Sequence, residues 1–117
     1  MVELSLANDI LPVLITAPTS HTKGNEPAYL AERWLNDIEE LVPIHQQYLQ
    51  VVREVALDNN IPLLDLAKEF EGLPEKDLKT KLFQMDGIHL QPSGDEKIAE
   101  YMYKFFKEER LLERLKN

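Results

Sequence analysis

A doubly wound α/β fold, with a parallel sheet layered between helices, is the class the sequence predicts, and three observations predict it. The phrase L-A-N-D-I-L-P-V-L-I-T, from Leu6 to Thr16, returns as L-D-N-N-I-P-L-L-D-L, from Leu57 to Leu66. In each, Asn and Asp stop a helical pattern, Ile and Pro follow, and a short apolar run begins. The runs Val13 to Thr16 and Leu63 to Leu66 are nearly continuous in apolar residues, as suits strands buried on both faces of a parallel sheet. Helical periodicity fills the interval between them, as expected when parallel strands are joined by a crossover.

The elements follow in order. Val2 to Asn8 reads as the last turns of a helix with no strand before it. Pro12 and Pro62 open the two strand segments, where a residue need not donate to the ladder. Leu30, Trp34, Ile38 and Leu41 recur at helical spacing, and Pro43 is expected to end or kink that helix. Ile44, Tyr48, Val51, Val52 and Val55 continue the pattern in a second helix. Ala67 to Leu82 is polar, holds Gly72 and Pro74, and reads as a short helix and loop. Ser93 followed by Glu96 is a capping box for the final helix, whose apolar stripe is Ile98, Met102, Phe105 and Phe106.

At 117 residues the chain is the size of one domain, and such a chain buries about two thirds of its unfolded surface. Apolar residues make up 44% and charged residues 29%, which excludes disorder and low complexity. Thirteen Lys and Arg against 21 Asp and Glu give a net charge of −8, a surface that repels nucleic-acid phosphates. The basic residues Lys104, Lys107, Arg110, Arg114 and Lys116 are interleaved with Glu108, Glu109 and Glu113, so they read as a solvated helix face. Without cysteine there are no disulfides, zinc thiolates or cysteine nucleophiles, and the compartment stays open. Ile10 to Ile15 is the longest apolar stretch, too short to span a bilayer. Glu3 and the lack of a basic flank argue against a secretory signal.

Chemistry concentrates in D-G-I-H-L-Q-P-S-G, Asp86 to Gly94. An Asp three residues before a His can be turned onto the imidazole, fix its tautomer and leave the second ring nitrogen free as a base. Gly87 permits an unusual backbone angle, and the segment precedes the final helix, where α/β enzymes place catalytic groups. This block resembles the last conserved block of the GDSL or SGNH hydrolases. P-V-L-I-T-A-P (Pro12 to Pro18), H-Q-Q-Y-L-Q-V-V-R-E-V-A (His45 to Ala56) and I-P-L-L-D-L (Ile61 to Leu66) look like the back half of the same domain.

The resemblance implies a three-layer α/β/α sandwich of which residues 1–117 are the carboxyl-terminal portion. It also implies hydrolysis of a small-molecule carboxylic ester, with His89 as general base and acid, Asp86 as its orienter, and no metal or organic cofactor. The family's serine, glycine and asparagine blocks find no match here, and Asn8-Asp9 reads as a helix stop. A missing amino-terminal half, or a second copy of the chain, is therefore expected to complete the sheet and cover the apolar faces bearing Trp34 or Phe105. The alternative is an inactive fragment or assembly module of the same fold. Ser20 and His21, in the loop after the first strand, are the candidate substrate-binding residues. Ser5 reads as a helix-end residue, Ser93 as a cap and His45 as a flank of its helix. Asp65 reads as a backbone partner, and a metal site of His21, Asp86 and His89 has no spacing to recommend it.

Overall fold

A computed structural model describes residues 1–31, 33 and 35–114 of the chain. The repeated phrase folds twice into the same device. Helix α1 (Val2–Ala7) ends where Asp9 takes φ 55°, with Ile10 N–H bonded to the Ser5 carbonyl at 2.9 Å and Asp9 N–H to that of Leu6 at 3.2 Å. Helix α2 (Leu41–Asp58) ends where Asn60 takes φ 51°, with Ile61 N–H on the Ala56 carbonyl and Asn60 N–H on that of Leu57. Both are Schellman ends, and Asn and Asp occur there because their short polar side chains tolerate the left-handed region. Each delivers the chain through a proline into a strand, β1 (Leu14–Ile15) and β2 (Leu63–Leu64). The strands pair in parallel, Leu14 opposite Leu63 and Ile15 opposite Leu64.

The sheet stops there, and this corrects the expected fold class: the described residues are mostly helical, and among them there is one two-stranded sheet and no three-layer sandwich. Side-chain chemistry cuts both apolar runs to two paired residues. Pro12 and Pro62 have no N–H to give. At the other end, the buried Thr16 hydroxyl donates to Asp65 Oδ1 at 2.7 Å and accepts the Ala67 N–H at 3.0 Å. Asp65 is itself the N-cap of helix α3 (Leu66–Glu71), accepting from Lys68 N–H, so the chain turns helical directly after Leu64. Nor is β1 covered on both faces, since Ile15 is 41% exposed.

Other elements also depart from expectation. Ala28–Leu30 and Ile38–Glu40 form short 3-10 turns; Trp34 lies outside the described residues. Pro43 neither ends nor kinks a helix. It sits in the first turn of α2, where a missing N–H costs nothing. The buried face of α2 runs through Leu49 and Ala56, while Tyr48 and Val51 of the expected stripe are exposed. After α3, helix α4 (Glu75–Asp77) widens into a π turn at Leu78–Leu82. Helix α5 (Pro92–Glu108) starts one residue earlier than expected, on Pro92 with Gln91 at the cap position. Ser93 does not cap it, because its hydroxyl donates to the Lys81 carbonyl. A short helix α6 (Leu111–Arg114) follows.

The core gathers Leu64, Leu66, Phe70, Leu78 and Phe83, with Ile98, Met102 and Phe105 of α5 packed against it. Tyr101 joins them in place of Phe106, which stacks edge-on beside Phe105. Phe105 is thus partly buried, not the uncovered face expected. Phe70 and Phe83 meet edge to face at 5.7 Å. Ion pairs Lys104–Glu108, Arg110–Glu113 and Arg114–Glu109 line the carboxyl-terminal helices, the solvated face the spacing predicts; Lys116 lies outside the described residues.

Candidate active site

The π turn hands the chain to Phe83, which forms an isolated antiparallel bridge with Leu90. Between them the segment 84–89 closes as a tight loop, Gln84 N–H bonding the His89 carbonyl at 2.8 Å and Gly87 N–H the Gln84 carbonyl at 2.9 Å. The Gln91 side chain fastens its base by donating to the Phe83 carbonyl at 2.7 Å. The loop that carries the candidate chemistry therefore stands on the buried Phe83 and the first turn of α5.

Within the loop, both oxygens of Asp86 are used. Oδ1 accepts the backbone N–H of Ile88 and of His89, each at 2.9 Å, and Oδ2 lies 2.5 Å from His89 Nδ1. These bonds favour the carboxylate over the acid. The Ile88 N–H leads, followed by the His89 ring and the His89 N–H, and together they pull the Asp86 pKa down to about 2. A carboxylate ionised at neutral pH has no proton to give, so Nδ1–H is the donor and the neutral ring presents Nε2 as a lone pair. The His89 side chain is 73% exposed, against 30% for Asp86. The oriented base thus faces solvent while its orienter is held by the loop.

Ser20 and His21 are brought to the same loop, but on its backbone side. Ser20 N–H donates to the Gly87 carbonyl at 3.0 Å, and His21 Nε2 donates to the Asp86 carbonyl at 2.7 Å, with the Tyr29 hydroxyl at 3.4 Å from the same oxygen. Both residues, with Gln84, Met85 and Gly87, line a recess of about 260 Å³. His89 is not among the lining residues, and its side chain stands largely exposed on the same loop. Gly87 is the joint between them. Its φ is +72°, and a Cβ there would fall 2.6 Å from the His21 ring. None of the chain's serines hydrogen-bonds His89: Ser5 donates to the Met1 carbonyl and Ser93 to that of Lys81, while Ser20 packs at Gly87.

Two participants escaped the sequence reading. Tyr29 has no motif around it, and its place beside Asp86 depends on the fold of the 17–31 segment. His45 is half-buried at the flank of the buried face of α2, and its Nε2 is itself buried and unpartnered. Burial holds its pKa below the ordinary histidine value, and the Ala17 carbonyl offsets this in part. Its spacing of four from Leu49 was the available signal. Asp65, expected to bond backbone, does so and also takes a bidentate ion pair from Arg53 at 2.8 and 3.0 Å.

Among the described residues no group of three or more His, Asp or Glu side chains is placed to hold a metal ion, and no helix is long and apolar enough to cross a membrane. Comparison with protein-family models, with curated proteins and with solved structures found no match.

Proposed function

We propose that Asp86 and His89 are the acid–base pair of a carboxylic-ester hydrolase of the GDSL or SGNH type. One observation carries the reading: an exposed imidazole whose Nδ1 is held at 2.5 Å by a carboxylate that two backbone N–H groups have already fixed. Such a ring is oriented before substrate arrives, and the carboxylate faces the positive charge that appears when Nε2 takes a proton.

In the proposed reaction a serine hydroxyl, brought by polypeptide other than residues 1–117, attacks the ester carbonyl. Nε2 removes the hydroxyl proton as the oxygen–carbon bond forms, and returns it to the alcohol as the ester C–O bond breaks. Water then repeats the sequence on the acyl-enzyme and releases the acid. With no serine engaged, the same pair can activate water directly on a reactive ester, only far more slowly. Loss of the nucleophile costs about a millionfold in turnover in another serine hydrolase.

The test uses the purified chain and p-nitrophenyl acetate. Slow hydrolysis that disappears in His89→Ala, with no labelling by a fluorophosphonate, is the expected result. A rate unchanged by His89→Ala would overturn the proposal, and stoichiometric labelling of Ser20 would overturn the outside origin of the nucleophile.

A second reading, an assembly module without turnover, is favoured by a different observation. The radius of gyration is 16.2 Å, against roughly 13 Å for a compact domain of this length. The flattened shape leaves Tyr48 70% and Leu57 80% exposed on α2, apolar surface of the kind that finds a partner. Sedimentation at rising concentration discriminates. Self-association abolished by Leu57→Lys supports assembly, and a monomer at all concentrations removes self-assembly from consideration.

A further inference from the structure

His45 carries a polar atom that the fold buries without a protein partner. Its Nε2 makes no hydrogen bond among the described residues, while the other ring nitrogen faces the Ala17 carbonyl. The ring stands between two hollows. One, of about 370 Å³, is walled by apolar groups such as Leu41, Phe83 and Ile98. The other is a slot of about 60 Å³ between α2, α3 and the segment after β1, where Thr19, His21, Gln46 and Glu71 approach.

A neutral imidazole tolerates this position, because a bare lone pair forfeits one acceptor bond and no more. A cationic ring does not, since a buried charge needs a paired partner. The groups that face it supply none. The segment after β1 brings His21, which repels an imidazolium whenever it is itself charged, and α3 brings Glu71, a carboxylate that already accepts from Gln46 at 3.4 Å. Phe83, Ile88 and Leu90 of the loop, Ile98 of α5, and Leu41, Val42 and Leu49 of α2 bring no charge. Burial lowers the pKa of the ring most, the Ala17 carbonyl opposes it, His21 adds to it and Glu71 offsets a part, leaving it below the ordinary histidine value. An open form in which the ring meets water therefore takes the proton first. As pH falls through the ordinary histidine range the open form gains on the closed one, until the lowered closed value is passed.

Two elements meet at His45, and they are not equally fixed. Helix α2 is held by the buried Leu49 and Ala56 and by the Arg53–Asp65 ion pair. The 17–21 segment has no regular secondary structure, so it is the side that yields. It carries both bonds that brace the 84–89 loop, Ser20 N–H to the Gly87 carbonyl and His21 Nε2 to the Asp86 carbonyl. We infer that His45 is an acid-sensitive latch: when its Nε2 takes a proton, the 17–21 segment lets go of α2 and the loop bearing Asp86 and His89 loses its brace. The latch holds whether or not that pair hydrolyses an ester.

The experiment is amide hydrogen exchange on the full chain, followed by NMR from about pH 7.5 to about pH 5.5 and corrected for the intrinsic pH dependence of exchange. Protection of the Ser20 N–H should fall several-fold, up to about tenfold one unit below the ordinary histidine value, while the helical circular dichroism stays constant. His45→Gln keeps an amide donor for the Ala17 carbonyl and takes no proton, so its Ser20 protection should stay level across the range. Glu71→Gln removes the carboxylate that lines the slot and should move the titration of His45, read from its ring Cε1 proton, to lower pH. If His45→Gln does not fold, the wild-type ring decides: a titration midpoint below that of the same ring in the urea-unfolded chain supports the latch, and an equal or higher one overturns it. Ser20 protection that ignores pH in the wild type, that falls equally in His45→Gln, or that falls only together with the circular dichroism would also overturn it.

Discussion

Replacing Gly87 by alanine strikes the joint between the Asp86–His89 pair and the segment that braces it. The backbone there holds φ +72°, a region in which an L-residue pays about 1–2 kcal/mol, partly offset by about 0.4–1 kcal/mol from the stiffer unfolded chain. The added Cβ would also sit 2.6 Å from His21 Cδ2 and Nε2 and 2.8 Å from Ser20 Oγ, closer than real carbons approach. His21 must swing away and lose its 2.7 Å bond to the Asp86 carbonyl, about 1 kcal/mol more, with overpacking of about 1 kcal/mol besides. The expected total is about 2–4 kcal/mol. Gly24→Ala is the matched control: its φ is +82° but nothing lies within 4 Å of the added carbon, so strain acts alone and the net loss stays within about 1.6 kcal/mol. Urea unfolding followed by circular dichroism reads both. Equal losses for the two variants, to within about 0.5 kcal/mol, would refute the claim that Gly87 is chosen for the contact with His21.

Thr16→Val should destabilise the chain by about 2 kcal/mol in the same assay, because the buried Ala67 N–H loses its acceptor and Asp65 loses a donor. Arg53→Met should cost about 1–2 kcal/mol at neutral pH. The Asp65 pKa lies below its ordinary value, chiefly because of the Arg53 bond. The pair's contribution is therefore full above the ordinary carboxylate range and lost as pH falls through the lowered folded value, so the wild-type and Arg53→Met unfolding curves should converge in acid. At the left-handed helix ends, Asp9→Gly should stabilise by about 0.5–1 kcal/mol and Asn60→Val should destabilise by about 1–2 kcal/mol, read as shifts in the unfolding midpoint.

The helix stops were legible because their cause is local. Asn8-Asp9 and Asn59-Asn60 carry the left-handed propensity themselves, whatever surrounds them. That the two strands pair in parallel follows from proline-led apolar runs on either side of a helix, whereas the register of Leu14 with Leu63 is not written in them. The extent of the sheet did not follow. The residues that end it, Thr16 and Asp65, do so through a hydrogen bond across 49 positions, and such a contact leaves no periodic trace. The same reason hid the role of His21, which reaches Asp86 across 65 positions. By contrast, the Asp86–His89 contact spans three residues and a glycine at positive φ, so the D-G-I-H motif was enough to place it. Pro43 and Ser93 misled in opposite ways: each is a helix-start residue, but the true start lay two residues before the proline and one before the serine.

The tautomer of His89 tests the central claim, that Asp86 holds a proton on Nδ1 and frees Nε2 as a base. Long-range nitrogen NMR on the uniformly labelled chain, recorded with the rings neutral, distinguishes a protonated from an unprotonated ring nitrogen. The predicted spectrum has His89 Nδ1 protonated and Nε2 bare, with the two tautomers becoming mixed in Asp86→Asn. A neutral His89 that carries its proton on Nε2 in the wild type, or a spectrum indifferent to Asp86→Asn, would contradict it.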